Sequence, residues 1–283
     1  MDDTPHPDPL ITVSDLASAL AEPYAPTLLD VRWRLGGPPG AEDYAAGHLP
    51  GAVFLDLDVQ FCGPPGAGGR HPLPDPNRLE AVLQVAGVRQ EHPVVVYDDG
   101  DLVAAARAWW TLRWAGHGQV RVLDGGYAAW VDDGQPVTTH RYPPVPGDVR
   151  VRPGSMPVLD ADGAAAMAGD GVLLDVRVPP RYRGETEPID PVAGHIPDAV
   201  NLPAAELVTD GHLHDATPLR ERFAQAGVAG RAPVGAYCGS GVTAAHTVLA
   251  LHRAGRTDAA LYVGSWSHWI TDPARPVATG DAP

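Results

Sequence analysis

The chain contains no lysine; all twenty of its basic residues are arginine. This reads as codon bias, and it leaves the guanidinium as the only side-chain cation besides histidine that a site can use. Cysteine is almost as scarce, with Cys62 and Cys238 alone. Two cysteines make no disulfide framework in a chain this long, so a reduced, cytoplasmic setting is expected, with a Cys62–Cys238 bond the one pairing open. No apolar run approaches about 18 residues and no charged-then-apolar leader is visible, so neither a membrane span nor a signal peptide is read. The basic side is outweighed by 35 acidic residues, for a net charge of −15 and a pI near 5.0. That balance argues against general binding to nucleic acid or a membrane surface. No spacing of Cys and His suggests zinc, and neither metal nor cofactor is expected. The start, Met1 to Pro9, reads as an acidic, proline-rich, mobile arm.

What is present is enough for two domains: 283 residues, 44% hydrophobic. The chain repeats itself. Leu28-Leu-Asp-Val-Arg32 returns as Leu173-Leu-Asp-Val-Arg177, and Gly47-His48-Leu-Pro returns as Gly194-His195-Ile-Pro. Val94–Tyr97 answers Val234–Tyr237, and the Gly125 segment answers the Gly264 segment, in the same order and at similar intervals. Short apolar strands alternate with helical stretches over 102–115 and 243–254, each closed by glycine. The expectation is an α/β protein of two tandem domains, each a parallel sheet flanked by helices. The proline- and glycine-rich connector puts the first domain at 1–145, a linker at 146–157 and the second domain at 158–283. His48 and His195 recur in both halves and read as turn-bracing. The first copy is longer in the glycine-rich stretch 61–75, a loop that would be functional if it covered a cleft between the halves.

The copies differ at one chemical position. After Tyr237 comes Cys238-Gly239-Ser240-Gly241-Val242-Thr243; after Tyr97 comes Asp98. Aspartate is no sulfur nucleophile, so the second half is read as catalytic and the first as inactive. A cysteine between a strand end and a helix start lies among backbone N–H groups. Such settings lower a thiol pKa from about 8.5 to roughly 3.5–7.5. The position where a cysteine phosphatase carries its arginine is Ala244, and Ala236 and Ser240 stand where a hydrolase elbow needs glycines. His246 reads as an ordinary helix histidine rather than the partner of a papain-like nucleophile. A lone thiolate facing N–H donors is suited to taking a sulfur atom, holding it as a persulfide and passing it on.

These motifs resemble the rhodanese family of tandem-domain sulfurtransferases over nearly the whole chain. The Cys-Gly-Ser-Gly-Val-Thr loop is similar to that of the 3-mercaptopyruvate branch; thiosulfate-using relatives carry two cations there. The resemblance implies a Cys238 persulfide, Ser240, Asp58 and His71 handling protons, and Arg181 gripping the donor's anionic end. It implies Gly239, Gly241, Val242 and Thr243 around the sulfur, and a thiol, a thioredoxin-like protein or cyanide as acceptor. The second arginine of the mercaptopyruvate clamp is absent, with Ile189 near its place. Arg183 either substitutes or is a surface charge. Thiosulfate as donor, and a non-catalytic sulfur-carrier or redox-sensing module, remain as alternatives.

Overall fold

The computed structural model describes residues 8–230 and 232–282. Met1 to Pro7 of the acidic arm lie outside the described residues. The first half runs β1 (Leu10–Ile11), α1 (Val13–Leu20), β2 (Thr27–Asp30), α2 (Gly40–Ala46), β3 (Val53–Phe54), α3 (Leu57–Gln60), α4 (Pro76–Val85), β4 (Val94–Tyr97), α5 (Val103–Trp114), β5 (Val120–Leu123) and α6 (Gly126–Asp132). The second half repeats the plan. It runs β6 (Val158–Leu159), α7 (Ala161–Asp170), β7 (Val172–Asp175), α8 (Pro179–Tyr182), β8 (Val200–Asn201), a 3₁₀ turn (Ala204–Leu207), β9 (Val208–Thr209), β10 (His212–Leu213), α9 (Ala216–Gln225), β11 (Val234–Tyr237), α10 (Val242–Arg253), β12 (Ala260–Tyr262) and α11 (Ser265–Trp269). The sheets have orders β1-β5-β4-β2-β3 and β6-β12-β11-β7-β8, parallel throughout. β9 and β10 form a separate antiparallel hairpin. Every residue of the central strands β4 and β11 is buried, as a sheet covered on both faces requires.

The two repeated motifs recur together because they touch. Arg32 bonds the Asp30 carboxylate and the Gly47 carbonyl, 2.7 Å away; Arg177 does the same with Asp175 and the Gly194 carbonyl, also at 2.7 Å. Each buried arginine thereby ties its strand end to its Gly-His turn. His48 and His195 brace those turns, each stacked on a tyrosine (Tyr44, Tyr182) and bonded through Nδ1 to that tyrosine's carbonyl.

Each half has a buried cluster of its own, and a third, larger core is shared between them. α5 and α10 pack against each other. Trp109, Leu112 and Ala105 share one continuous buried cluster with Ala245, Val248 and Leu249. α5 is buried on all sides, which a helix wedged between its own sheet and a second domain must be. The connector is also no free tether. The amides of Gly147, Val149 and Arg152 bond the carbonyls of Gln84, Val88 and Ala115, zipping it along the first half. No helix among the described residues is long and apolar enough to cross a membrane.

Candidate active site

Cys238 follows directly on β11 and is 3% exposed. Its amide bonds Ser265 Oγ, and α11 holds the loop from outside: Trp266 N–H donates to the Cys238 carbonyl and Ser267 N–H to that of Gly239. Within the loop, the Gly241 N–H donates to Sγ at 3.1 Å. Gly241 has φ +81°, and a Cβ there would lie 2.2 Å from the Val263 carbonyl oxygen, so only glycine serves. Val242 is buried in the first turn of α10 and belongs to the same apolar cluster as Cys238.

The first half reaches this loop. Residues 61–75 fold over the second half, with Gly69 (φ +99°) set so close to Gly264 that a side chain has no room. The Arg70 amide bonds Ser267 Oγ at 3.1 Å. His71 Nδ1 then lies 2.8 Å from Ser240 Oγ, and His71 Nε2 lies 3.1 Å from Asp58 Oδ1. Trp33 Nε1 donates to the other Asp58 oxygen. Bonding to His71 first, and to Trp33, holds the Asp58 carboxyl below its ordinary range. In the tautomer whose Nε2–H donates to the Asp58 carboxylate, Nδ1 accepts from the Ser240 hydroxyl.

Two guanidiniums stand over Gly239. A Cβ on that glycine would lie 2.8 Å from Arg70 Nη2 and 3.5 Å from Arg181 Nη2. Glu187 grips one edge of Arg181, accepting from Nε at 3.0 Å and Nη2 at 2.6 Å. Asp190 sits between the arginines, one oxygen on Arg70 Nη1 and the other 3.2 Å from Arg181 Nη2. Burial pushes Glu187 upward, but Arg181 and the backbone N–H groups of Asp190 and Ile189 hold it below its ordinary range. The second guanidinium beside Gly239 is thus Arg70, from the first half. Arg183 does not join them: it pairs with Glu185 at 2.7 Å and with Asp281. Ile189 is exposed where a second arginine was sought.

Arg107, missed in the sequence, is fully buried on α5. Its Nη1 donates to the Gly241 carbonyl at 3.1 Å and its Nη2 to the His71 carbonyl at 2.9 Å. No described carboxylate lies within ion-pairing distance of it. One side chain of the first half therefore fixes both the sulfur's loop and the histidine facing it. Cys62 lies beside Arg107; burial pushes its thiol up, with the arginine acting in the opposite direction. Both cysteines are free thiols.

A cleft of about 390 Å³ opens on the sulfur, bounded by Cys238, Gly239, Arg181 and Thr243 and by Asp101 and Val103 of the first half. The arrangement places a protected sulfur beneath two cations, with a Ser–His–Asp chain beside it. It can bind a small anion, receive a sulfur atom and move a proton.

Residues 12–133 and 160–272 each match the family model described as a rhodanese-like domain. A Pseudomonas aeruginosa protein provisionally named a 3-mercaptopyruvate sulfurtransferase is 48% identical, over 96% of this chain and 98% of that protein. A Mycobacterium tuberculosis protein provisionally named a thiosulfate sulfurtransferase is 45% identical, also over 96% and 98%. Among solved structures, a 3-mercaptopyruvate sulfotransferase of Escherichia coli superposes with a TM-score of 0.81 at 31% identity, over 91% of this chain and 98% of that one.

Proposed function

The chain belongs to the rhodanese-like domain family, in two copies, and is a sulfurtransferase; from that premise we propose that Cys238 takes sulfur from 3-mercaptopyruvate. The donor's carboxylate meets Arg181 and Arg70, a charge-assisted match for guanidinium forks. The Cys238 thiolate attacks the donor sulfur, the carbon–sulfur bond breaks, and its electron pair passes to the carbon beside the carbonyl. The thiol proton of the donor ends on that carbon, so the products are pyruvate and the Cys238 persulfide anion. The anion rests against the Gly241 N–H at the head of α10. A thiol, protein-borne or small, or cyanide then accepts the outer sulfur, the ping-pong logic of covalent catalysis.

The observation that carries the donor is the Ser240–His71–Asp58 chain. 3-Mercaptopyruvate arrives with a proton on its sulfur and leaves with one on carbon, so a proton must move. Thiosulfate transfers its outer sulfur and departs as sulfite with no proton to relocate. The name of the M. tuberculosis relative favours thiosulfate as the second reading, and two cations over Gly239 suit it too. Thiocyanate formation from each donor with cyanide, beside Cys238→Ser, decides between them. Activity surviving that substitution removes Cys238 from the chemistry, and turnover with thiosulfate far above 3-mercaptopyruvate overturns the donor. Two free thiols and a labile persulfide suit the reducing cytoplasm.

A further inference from the structure

The cleft beside Cys238 is larger than a small anionic donor needs. A three-carbon acid occupies the corner made by Arg181, Gly239 and Cys238. The rest is an apolar wall of Val176, Val178, Pro203, Ala205 and Val208, facing Val103 of the first half. Neither thiosulfate nor cyanide gains from such a wall, since burying apolar surface rewards only an apolar occupant. One polar feature interrupts it. His246, on α10 behind the sulfur, lines the cleft, is 1% exposed, and has no hydrogen-bond partner on either ring nitrogen. A buried polar group left unpaired is costly, so an unpaired imidazole in a binding cleft implies a ligand group that pairs with it. Burial pushes His246 down to about 4, so it is neutral at ordinary pH and offers one donor and one acceptor. Charge is confined to the ends of this wall: Arg181, oriented by Glu187 and Asp190, stands at the donor corner, and the Asp101 carboxylate also borders the cleft.

We propose that this apolar part of the cleft, with His246 as its polar anchor, is the acceptor subsite for a small, uncharged organic thiol. The inference rests on the persulfide reading above and names the acceptor that reading leaves open. After the donor's carbon skeleton has left, the thiol enters as its thiolate with its apolar body along Val176, Ala205 and Val208. Its sulfur attacks the outer sulfur of the Cys238 persulfide. A new sulfur–sulfur bond forms as the old one breaks, the bonding pair returns to Cys238 as thiolate, and the acceptor departs as its own persulfide anion. No outside oxidant or reductant is needed. A polar group on the thiol's body satisfies His246, which is therefore no idle helix histidine.

The test isolates the second half-reaction. Cys238 is charged to the persulfide with inorganic polysulfide, which bypasses the donor, and its discharge is followed by intact mass. The probes are 2-mercaptoethanol, 4-(hydroxymethyl)phenylmethanethiol and cyanide. The aromatic thiol is expected to saturate at about tenfold lower concentration than 2-mercaptoethanol. In His246→Leu its discharge rate relative to cyanide falls about tenfold. Ala205→Phe, which fills the wall without touching the histidine, lowers the same ratio. Equal saturation by the two thiols overturns the proposal, as does a thiol-to-cyanide ratio unchanged in both variants. Failure to form the persulfide from 3-mercaptopyruvate or thiosulfate, with discharge of the polysulfide-charged protein still selective, counts against the donor reading alone.

Discussion

Asp98 and Cys238 occupy the same place in the two halves, each one residue past the end of its paired central strand. The Asp98 carboxylate accepts N–H bonds from Gly100, Leu102 and Ala105 at 2.9–3.1 Å. At Cys238 the Gly241 N–H meets sulfur. The first half thus fills its nest with a carboxylate of its own.

Burial, with Asp101 adding, raises Asp98 to about 7 despite those three donors. A carboxyl raised in the folded state binds a proton there that the unfolded chain has released. Its contribution is therefore full below about pH 4 and is lost as pH climbs through 7. Relative to Asp98→Asn, the protein is expected to lose stability between those limits, by up to about 1.4 kcal/mol per pH unit. Urea midpoints of the two proteins across pH 4–8 check this; parallel curves refute it.

Replacing Arg107 by Met leaves the Gly241 and His71 carbonyls buried without donors, at a cost of roughly 2–6 kcal/mol. We expect a lower melting temperature together with a fall in kcat that exceeds any change in donor KM. Arg107→Lys, which keeps the charge but not the fork, should recover stability more than rate.

Arg70→Ala is expected to raise the donor KM about tenfold or more, the loss of one charge-assisted contact. Asp190→Asn should do so less, by loosening both arginines it orients. Arg183→Ala should leave KM near wild type, because it pairs with the exposed carboxylates of Glu185 and Asp281. An equal response to all three substitutions would contradict the assignment.

Asp58→Asn should cut kcat with 3-mercaptopyruvate by about a hundredfold while changing thiosulfate turnover little, since only the former needs a proton moved. The amide donates to His71 Nε2 and forces the proton onto Nδ1, so Ser240 loses its acceptor. What Asp58 adds to stability is present above the ordinary carboxylate range and disappears as pH falls through its lowered value. An equal loss with both donors removes the proton-relay role.

The duplication and the central strands were legible because both leave local marks: a repeated Leu-Leu-Asp-Val-Arg, and four apolar residues before a turn. Helix ends shifted by only a residue, to Val103–Trp114 and Val242–Arg253. The edge strands Leu10–Ile11, Val53–Phe54, Val158–Leu159 and Val200–Asn201 are too short for any periodicity to show. The site was half legible. Asp58, His71 and Ser240 came through resemblance, and the structure gathers them into one chain. Arg70 and Arg107 were invisible because what they do depends on how one half sits on the other. Arg107 had left one trace, a single charge inside the otherwise apolar Ala104-Ala-Ala-Arg-Ala-Trp-Trp110, which a buried helix tolerates only for a reason.

The core that runs unbroken from α5 into α10 also bears on how such a chain drifts over generations. A duplicated domain relieved of chemistry would ordinarily be free to erode, shorten or be discarded. Here erosion of the α5 face would strip cover from α10, so selection on the Cys238 half also guards Trp109 and Trp110 of the other. Cutting the chain between the copies would expose the apolar faces of α5 and α10 on both.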